Sequence, residues 1–260
     1  MRDNAAPAEK RMRSMLVVCG LLLAFMAQAQ TGASFTNAPV RAPQPPIELT
    51  HDTHVHQALA NSSVRVFRID LPPSGETATD RHDHDFLVLS IGANDFELDG
   101  PGNNYPMTMA DSEIQVLKGH WPHKVVNKSK NALHLVEIES MAEISPERAV
   151  CGLAAQSCTG AKFAKDETTN YVESTLFITP SMRLAKIEVQ PAAGTPEHGH
   201  ATPHLMIALN DQQLTNAIVA GSSSDLNLHP GDAAWLKGDI VHRVVNHGTQ
   251  PARFLTIEWK

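Results

Sequence analysis

Short stretches of nearly alternating apolar and polar residues dominate this chain, and no window of a dozen residues keeps a helical period. Val66, Ile69 and Leu71 mark one such stretch, and Leu184, Ile187 and Val189 mark another. Successive side chains on a strand point to opposite faces, so alternation of this kind predicts β-strands. Pro and Gly clusters punctuate their ends. Apolar runs follow, "FLVLSIG" from Phe86 and "LMIAL" from Leu205. Many short strands with turn signals at this spacing predict an all-β sandwich or barrel.

The pattern is written twice. "LKGHWPHKVVN" (Leu117 to Asn127) returns as "LKGDIVHRVVN" (Leu236 to Asn246), 119 residues later (236 − 117), with seven of eleven positions identical. "VRVFRIDLPPSGE" from Val64 corresponds to "MRLAKIEVQPAAGT" from Met182, and each is followed by a histidine pair, "HDH" or "HGH". "NALHLVEIE" and "PARFLTIEW" close the two copies. Order kept over so long a stretch is the mark of an internal duplication. The expected organisation is a barrel over 49–144, a connector over 145–169 and a second barrel over 170–260, behind an extended Pro-rich leader over 30–48.

Residues 1–29 change the picture of where the protein works. Lys10, Arg11 and Arg13 precede the apolar run "MLVVCGLLLAFM", and Ala-Gln-Ala follows at Ala27 to Ala29. That order predicts a secretory signal peptide, cleaved after Ala29, and an exported (periplasmic or secreted) protein. The apolar run is about a dozen residues, short of the ~20 that a spanning helix needs, so no membrane partner is expected after cleavage. Cleavage takes away four basic and two acidic residues, moving the formal net charge from −7 to −9. An acidic chain with no basic stripe argues against nucleic acid. In an oxidising compartment, Cys151 and Cys158 of "CGLAAQSC" read as a disulfide. No nucleophile elbow, phosphate-cradling glycine loop or dinucleotide fingerprint occurs, which leaves serine and phosphate chemistry without support.

The repeated histidines carry the candidate chemistry. If both pairs lie on strands, His198 and His200 share a face, as do His82 and His84. Two imidazoles on one strand need further ligands, and His242 or His123 of the repeated phrase supplies one. Imidazole suits Fe, Mn, Cu, Ni or Zn, so a divalent transition metal is the expected cofactor.

These motifs resemble those of the cupin family, in which His-x-His with a following Glu is joined by a second motif carrying Gly, a turn, His and Asn. Because both copies carry them, the chain is identified as a bicupin, and the resemblance implies two tandem cupin (double-stranded β-helix, jelly-roll) barrels. In the second copy it implies His198, His200 and His242 as ligands, with His204 where the family has Glu. In the first it implies His82, His84 and His123, with Asp85 or Phe86 at the carboxylate position and a weaker or vestigial site. Metal affinity carried by free imidazoles would fall as pH drops through ~6.5. The resemblance to quercetinase-like cupins implies a dioxygenase-like oxidoreductase acting on a small organic substrate. Isomerase or lyase chemistry on a sugar acid or hydroxy acid, and a non-catalytic ligand-binding role, use the same ligands. Cupins often pair, so a homodimer is a further expectation.

Overall fold

The computed structural model describes residues 51–153, 158 and 170–260. The expected signal peptide and leader, and most of the connector, lie outside these residues. Among the described residues no helix is long and apolar enough to cross a membrane.

The first copy folds as β1 (Val55–Ala60), β2 (Val64–Leu71), β3 (Phe86–Ser90), β4 (Asn94–Gly100), β5 (Asn103–Met109), β6 (Ile114–Leu117), β7 (Lys124–Asn127) and β8 (Leu133–Ser140). The second folds as β9 (Tyr171–Ile178), β10 (Met182–Val189), β11 (His198–His200), β12 (His204–Ala208), β13 (Gln212–Ile218), β14 (Ser224–Leu228), β15 (Ala233–Leu236), β16 (Ile240–Asn246) and β17 (Ala252–Trp259). A five-stranded sheet of order β1-β2-β8-β3-β6 faces the three-stranded β5-β4-β7. The second copy repeats this as β9-β10-β17-β12-β15 and β14-β13-β16-β11. The same strand order in both halves, with β11 added at the edge of the second small sheet, makes the fold two tandem jelly-roll barrels.

The apolar runs have a physical reason. The two large sheets are buried on both faces. Leu87 and Leu89 of β3 pack with Leu205 and Ile207 of β12 in one cluster that joins the halves. Phe86 and Val88 point instead into the first barrel, and Met206 into the second. A strand covered on both sides has no polar face to show, hence the continuous apolar sequence. The same fact explains the uneven spacing of Val66, Ile69 and Leu71. Val66 lies in the shared cluster, and Ile69 and Leu71 lie inside the barrel. Alternation is strict, and the apolar residues belong to two faces.

The repeated phrase is largely structural. A Cβ on Gly119 would lie 2.2 Å from the His84 carbonyl oxygen, and one on Gly238 2.5 Å from the Thr202 carbonyl carbon. Only glycine admits that approach. Asn127 donates from Nδ2 to the carbonyls of Pro72 and Asn131, and Asn246 donates likewise to those of Val189 and Gln250. Each Asn thus ties the hairpin before the last strand to the end of the second.

Cys151 and Cys158 are joined, with Cα atoms 4.8 Å apart, and Cys151 bridges to Ile178 of β9. The bond closes a short loop, so its contribution should fall near the lower end of ~2–4 kcal/mol. In the native, oxidised protein both thiols are expected to resist alkylation, and to take two labels only after reduction. Labelling of either before reduction would contradict the bridge.

Candidate metal centre

β11 and β16 pair so that His198 stands opposite His242, while β12 starts at His204 beside them. His198, His200 and His242 each offer a ring nitrogen, and these atoms lie within 4.8 Å of one another. The outer nitrogens settle the tautomers. His198 Nδ1 is 2.8 Å from the Pro196 carbonyl, His200 Nδ1 is 3.0 Å from Glu258 Oε1, and His242 Nδ1 is 2.6 Å from Asn216 Oδ1. Each partner is an acceptor only, so each Nδ1 carries the hydrogen and each Nε2 keeps its lone pair. His242 Nε2 is buried without a hydrogen-bond partner. Outer partners that fix the imidazoles and leave their lone pairs free are what a metal ion requires of its ligands. The donor set fits a divalent transition metal.

His204 is buried and its ring lies 3.9 Å from that of His200, tilted by 30°. It lines the same small cavity but stands outside the tight three-histidine group. Burial is the first cause of the low basicity here. It pushes His204 down to about 3 and His242 to about 4, with neighbouring histidines adding to the effect, and it lowers His198 as well. His204 and His242 are therefore already neutral well below pH 6.5, so protons compete for these two rings only below the free-histidine range expected from sequence. Glu258 is lowered by the hydrogen bond from His200 and stays ionised.

The first barrel corrects the sequence reading. The pairing shifts the correspondence of the histidine pairs by two residues. Asp80 bridges His123 as His198 pairs with His242. The His82 carbonyl accepts from His120 N as that of His200 accepts from Asp239 N. Phe86 stands opposite Glu139 as His204 stands opposite Glu258. Asp80, His82 and Phe86 thus match His198, His200 and His204. The segment around His82 and His84 is not a strand, so the two rings do not share a face. His82 points inward and His84 turns outward, its side chain 44% exposed with Nδ1 on Glu139. The structure does not bring His84 to the cluster.

Asp80 takes its place, and Asp80, His82 and His123 form a second group of closely spaced donor atoms. Glu137 lies 3.0 Å from His82 Nε2, and Glu139, itself held by Arg65 at 2.7 Å, lies 3.5 Å from His82 Nδ1. Burial works against the His82 charge, but its hydrogen bonding to the Glu137 and Glu139 carboxylates outweighs this and raises the group to about 10. His82 is therefore an imidazolium between two carboxylates, with Nε2 donating to Glu137 and Nδ1 facing Glu139 at 3.5 Å. Burial, then Glu137, lifts Asp80 to about 8, so it is largely protonated at neutral pH. A metal here would have to displace protons and break the His82–Glu137 pair. Phe86 stacks on His82 at 3.9 Å where the second barrel has a nitrogen donor.

Several site residues lay outside the sequence reading. Arg183, Glu173, Tyr171 and Glu258 line the second cavity. Tyr171 hydrogen-bonds Glu173, which pairs with Arg183, whose Nη1 is 3.4 Å from Glu258. Only the repeated "VEIE" and "TIEW" signalled Glu258 and Glu139 in advance.

No family model and no curated protein matches the chain. Solved structures do. The structure of AerE from Microcystis aeruginosa is 13% identical, with 83% of this chain and 96% of that one covered and a TM-score of 0.58. Oxalate decarboxylase from Bacillus subtilis, described with Mn(II) centres, is 12% identical over 81% of this chain and 76% of its own, with a TM-score of 0.52. The chain has the bicupin fold. Salicylate 1,2-dioxygenase from Pseudoaminobacter salicylatoxidans is similar too, at 10% identity, 75% and 68% coverage and a TM-score of 0.51. At these identities the likeness to these proteins is one of fold, and chemistry has to be argued from the site.

Proposed function

We propose that this chain is an exported bicupin enzyme whose second barrel holds a divalent transition metal on His198, His200 and His242, with His204 alongside, and acts on a small organic acid. The observation that carries the reading is the set of three imidazoles whose ligand nitrogens lie within 4.8 Å of one another, each ring anchored at Nδ1 by an acceptor. A bound metal would supply Lewis acidity or a path for electrons at an open coordination position. The chain's own residues do the rest. The cavity is about 60 Å³, which admits a few non-hydrogen atoms and little bulk water. Arg183 and a divalent ion together outweigh Glu173 and Glu258 by one positive charge. That excess favours a monoanion such as a carboxylate, with Arg183 orienting it.

The reaction class we assign is a dioxygenase-like oxidation. A lyase or isomerase reaction on the same class of acid is the second reading, favoured by a cavity with little room for O₂ beside a substrate. The disulfide supports export, since such bonds persist in oxidising compartments. The test is to purify the protein from its native compartment, measure its metal, and incubate it with a panel of small carboxylates and phenols. O₂ uptake with oxidised product supports the first reading, and product without O₂ uptake supports the second. Saturable binding without turnover would leave a binding protein and overturn both.

A further inference from the structure

We propose that the mouth of the first barrel is a separate binding site for a planar aromatic carboxylate. An apolar cleft of about 650 Å³ lies there, walled by Leu98, Leu117, Tyr105, Met107, Trp121 and Pro122. Its size and lining are those of small-molecule pockets, typically ~300–1,000 Å³. The cleft is built on one aromatic corner. The inner face of Trp121 stacks on His123 at 4.4 Å, and its Nε1 donates to the Lys118 carbonyl at 2.8 Å, so the indole is held in place. Tyr105 meets Trp121 edge-on at 5.5 Å and 68°, and Tyr105 is half exposed. A ring laid on the indole would present its edge to Tyr105, the geometry that aromatic quadrupoles favour.

The duplication shows that this corner belongs to one half. By strand pairing, Tyr105 corresponds to Ser224 and Leu98 to Asn216, and by the repeated phrase Trp121 corresponds to Ile240. These three positions of the cleft are all apolar or aromatic in the first barrel. In the second, two of them are polar. The first barrel's mouth has the surface of an apolar receptor, and the second keeps imidazoles. The cleft's charged group is Lys118, on the rim, with its side chain 68% exposed. Asp85 takes one of its three donors at 2.8 Å, which leaves two for a carboxylate.

The test is calorimetric titration of the full protein, metal-loaded and metal-free, with 2-naphthoate and with cyclohexanecarboxylate. Saturable 2-naphthoate binding at one site, with quenching of tryptophan fluorescence and regardless of metal, is expected. The non-aromatic acid should bind at least ~10-fold more weakly, since it forfeits the ring contacts. Trp121→Ile and Tyr105→Ser, the residues of the other half, should each weaken 2-naphthoate at least ~10-fold while leaving melting temperature and bound metal unchanged. Tyr105 sits on an exposed edge strand, so its variant keeps the test open should Trp121→Ile fold poorly. Equal binding in parent and variants, or none in any, overturns the proposal. So does a parent dimer that Tyr105→Ser dissociates without any naphthoate binding, because the cleft is then an interface between copies.

Discussion

Replacing His242 with alanine should strip the protein of most of its bound metal, while His123→Ala should leave that metal in place. His242 is a first contact of the ion in the proposed site, with Nε2 free and Nδ1 held by Asn216. Losing an outer partner of a metal ligand costs ~10–100-fold in affinity, so losing the ligand itself should exceed ~100-fold. His123 occupies the matching place in the first barrel. Its Nε2 is buried without a partner, like that of His242, but its neighbours are the His82–Glu137 ion pair and a buried Asp80 that carries a proton, so a metal would have to break the pair and displace the proton. His204→Ala should fall between the two, because His204 shares the cavity yet lies outside the close group. The measurement is metal per chain after dialysis, with circular dichroism to confirm folding. Equal loss from His242→Ala and His123→Ala would refute the asymmetry. Loss from His204→Ala as large as from His242→Ala would make the site a four-histidine one.

How much of this could be read from the sequence follows from which constraints are local. The duplication, the strands and the grouping of His198, His200 and His242 were legible because each rests on residue spacing within the repeated motifs. The glycine and asparagine of the repeated phrase were legible as a pattern, and their role became clear only once Gly119 was set against His84 and Asn127 against Pro72. The histidine pairs were misaligned for a chemical reason. "HDH" and "HGH" look alike, but the true equivalents are Asp80 and His82, and His84 falls at the position of Thr202. Side-chain resemblance pointed to one register and the backbone pairing with β7 and β16 chose another. The buried charges were the least legible. Glu137 corresponds to Thr256 and Asp80 to His198, so neither is repeated. Nothing along the chain separates a carboxylate inside a barrel from one on its surface. Arg65 and Arg183 are repeated, but only the inward face of β2 and β10 reveals that each meets a Glu of the last strand.

The two barrels should respond to pH with opposite signs. In the second, His204 and His242 are held to about 3 and about 4 by burial, whereas free imidazoles titrate near ~6.5. As pH falls from there toward 4, the unfolded chain takes up protons that the folded barrel refuses. Metal-free protein should therefore lose stability on acidification, by at most ~1.4 kcal/mol per pH unit for each such imidazole. In the first barrel the order is reversed. His82 is raised to about 10 and Asp80 to about 8, so the folded state keeps the His82 proton from ~6.5 up to about 10 and the Asp80 proton from ~3.9 up to about 8, where the unfolded state has released them. Asp80 thus offsets part of the acid limb, where two imidazoles oppose it. The stability carried by the imidazolium is complete below ~6.5 and is lost as pH rises through about 10. Denaturant unfolding of the metal-free protein from pH 4 to pH 10 should thus give a maximum near neutrality with two limbs of separate origin. His204→Phe installs the residue that the first barrel already uses beside its histidine. It removes one titrating group from the acid limb alone, so the slope between pH 6.5 and 4.5 should become shallower while the alkaline limb stays unchanged. A variant with an unaltered acid slope would mean that His204 takes up its proton as a solvated histidine does and is not enclosed in the barrel.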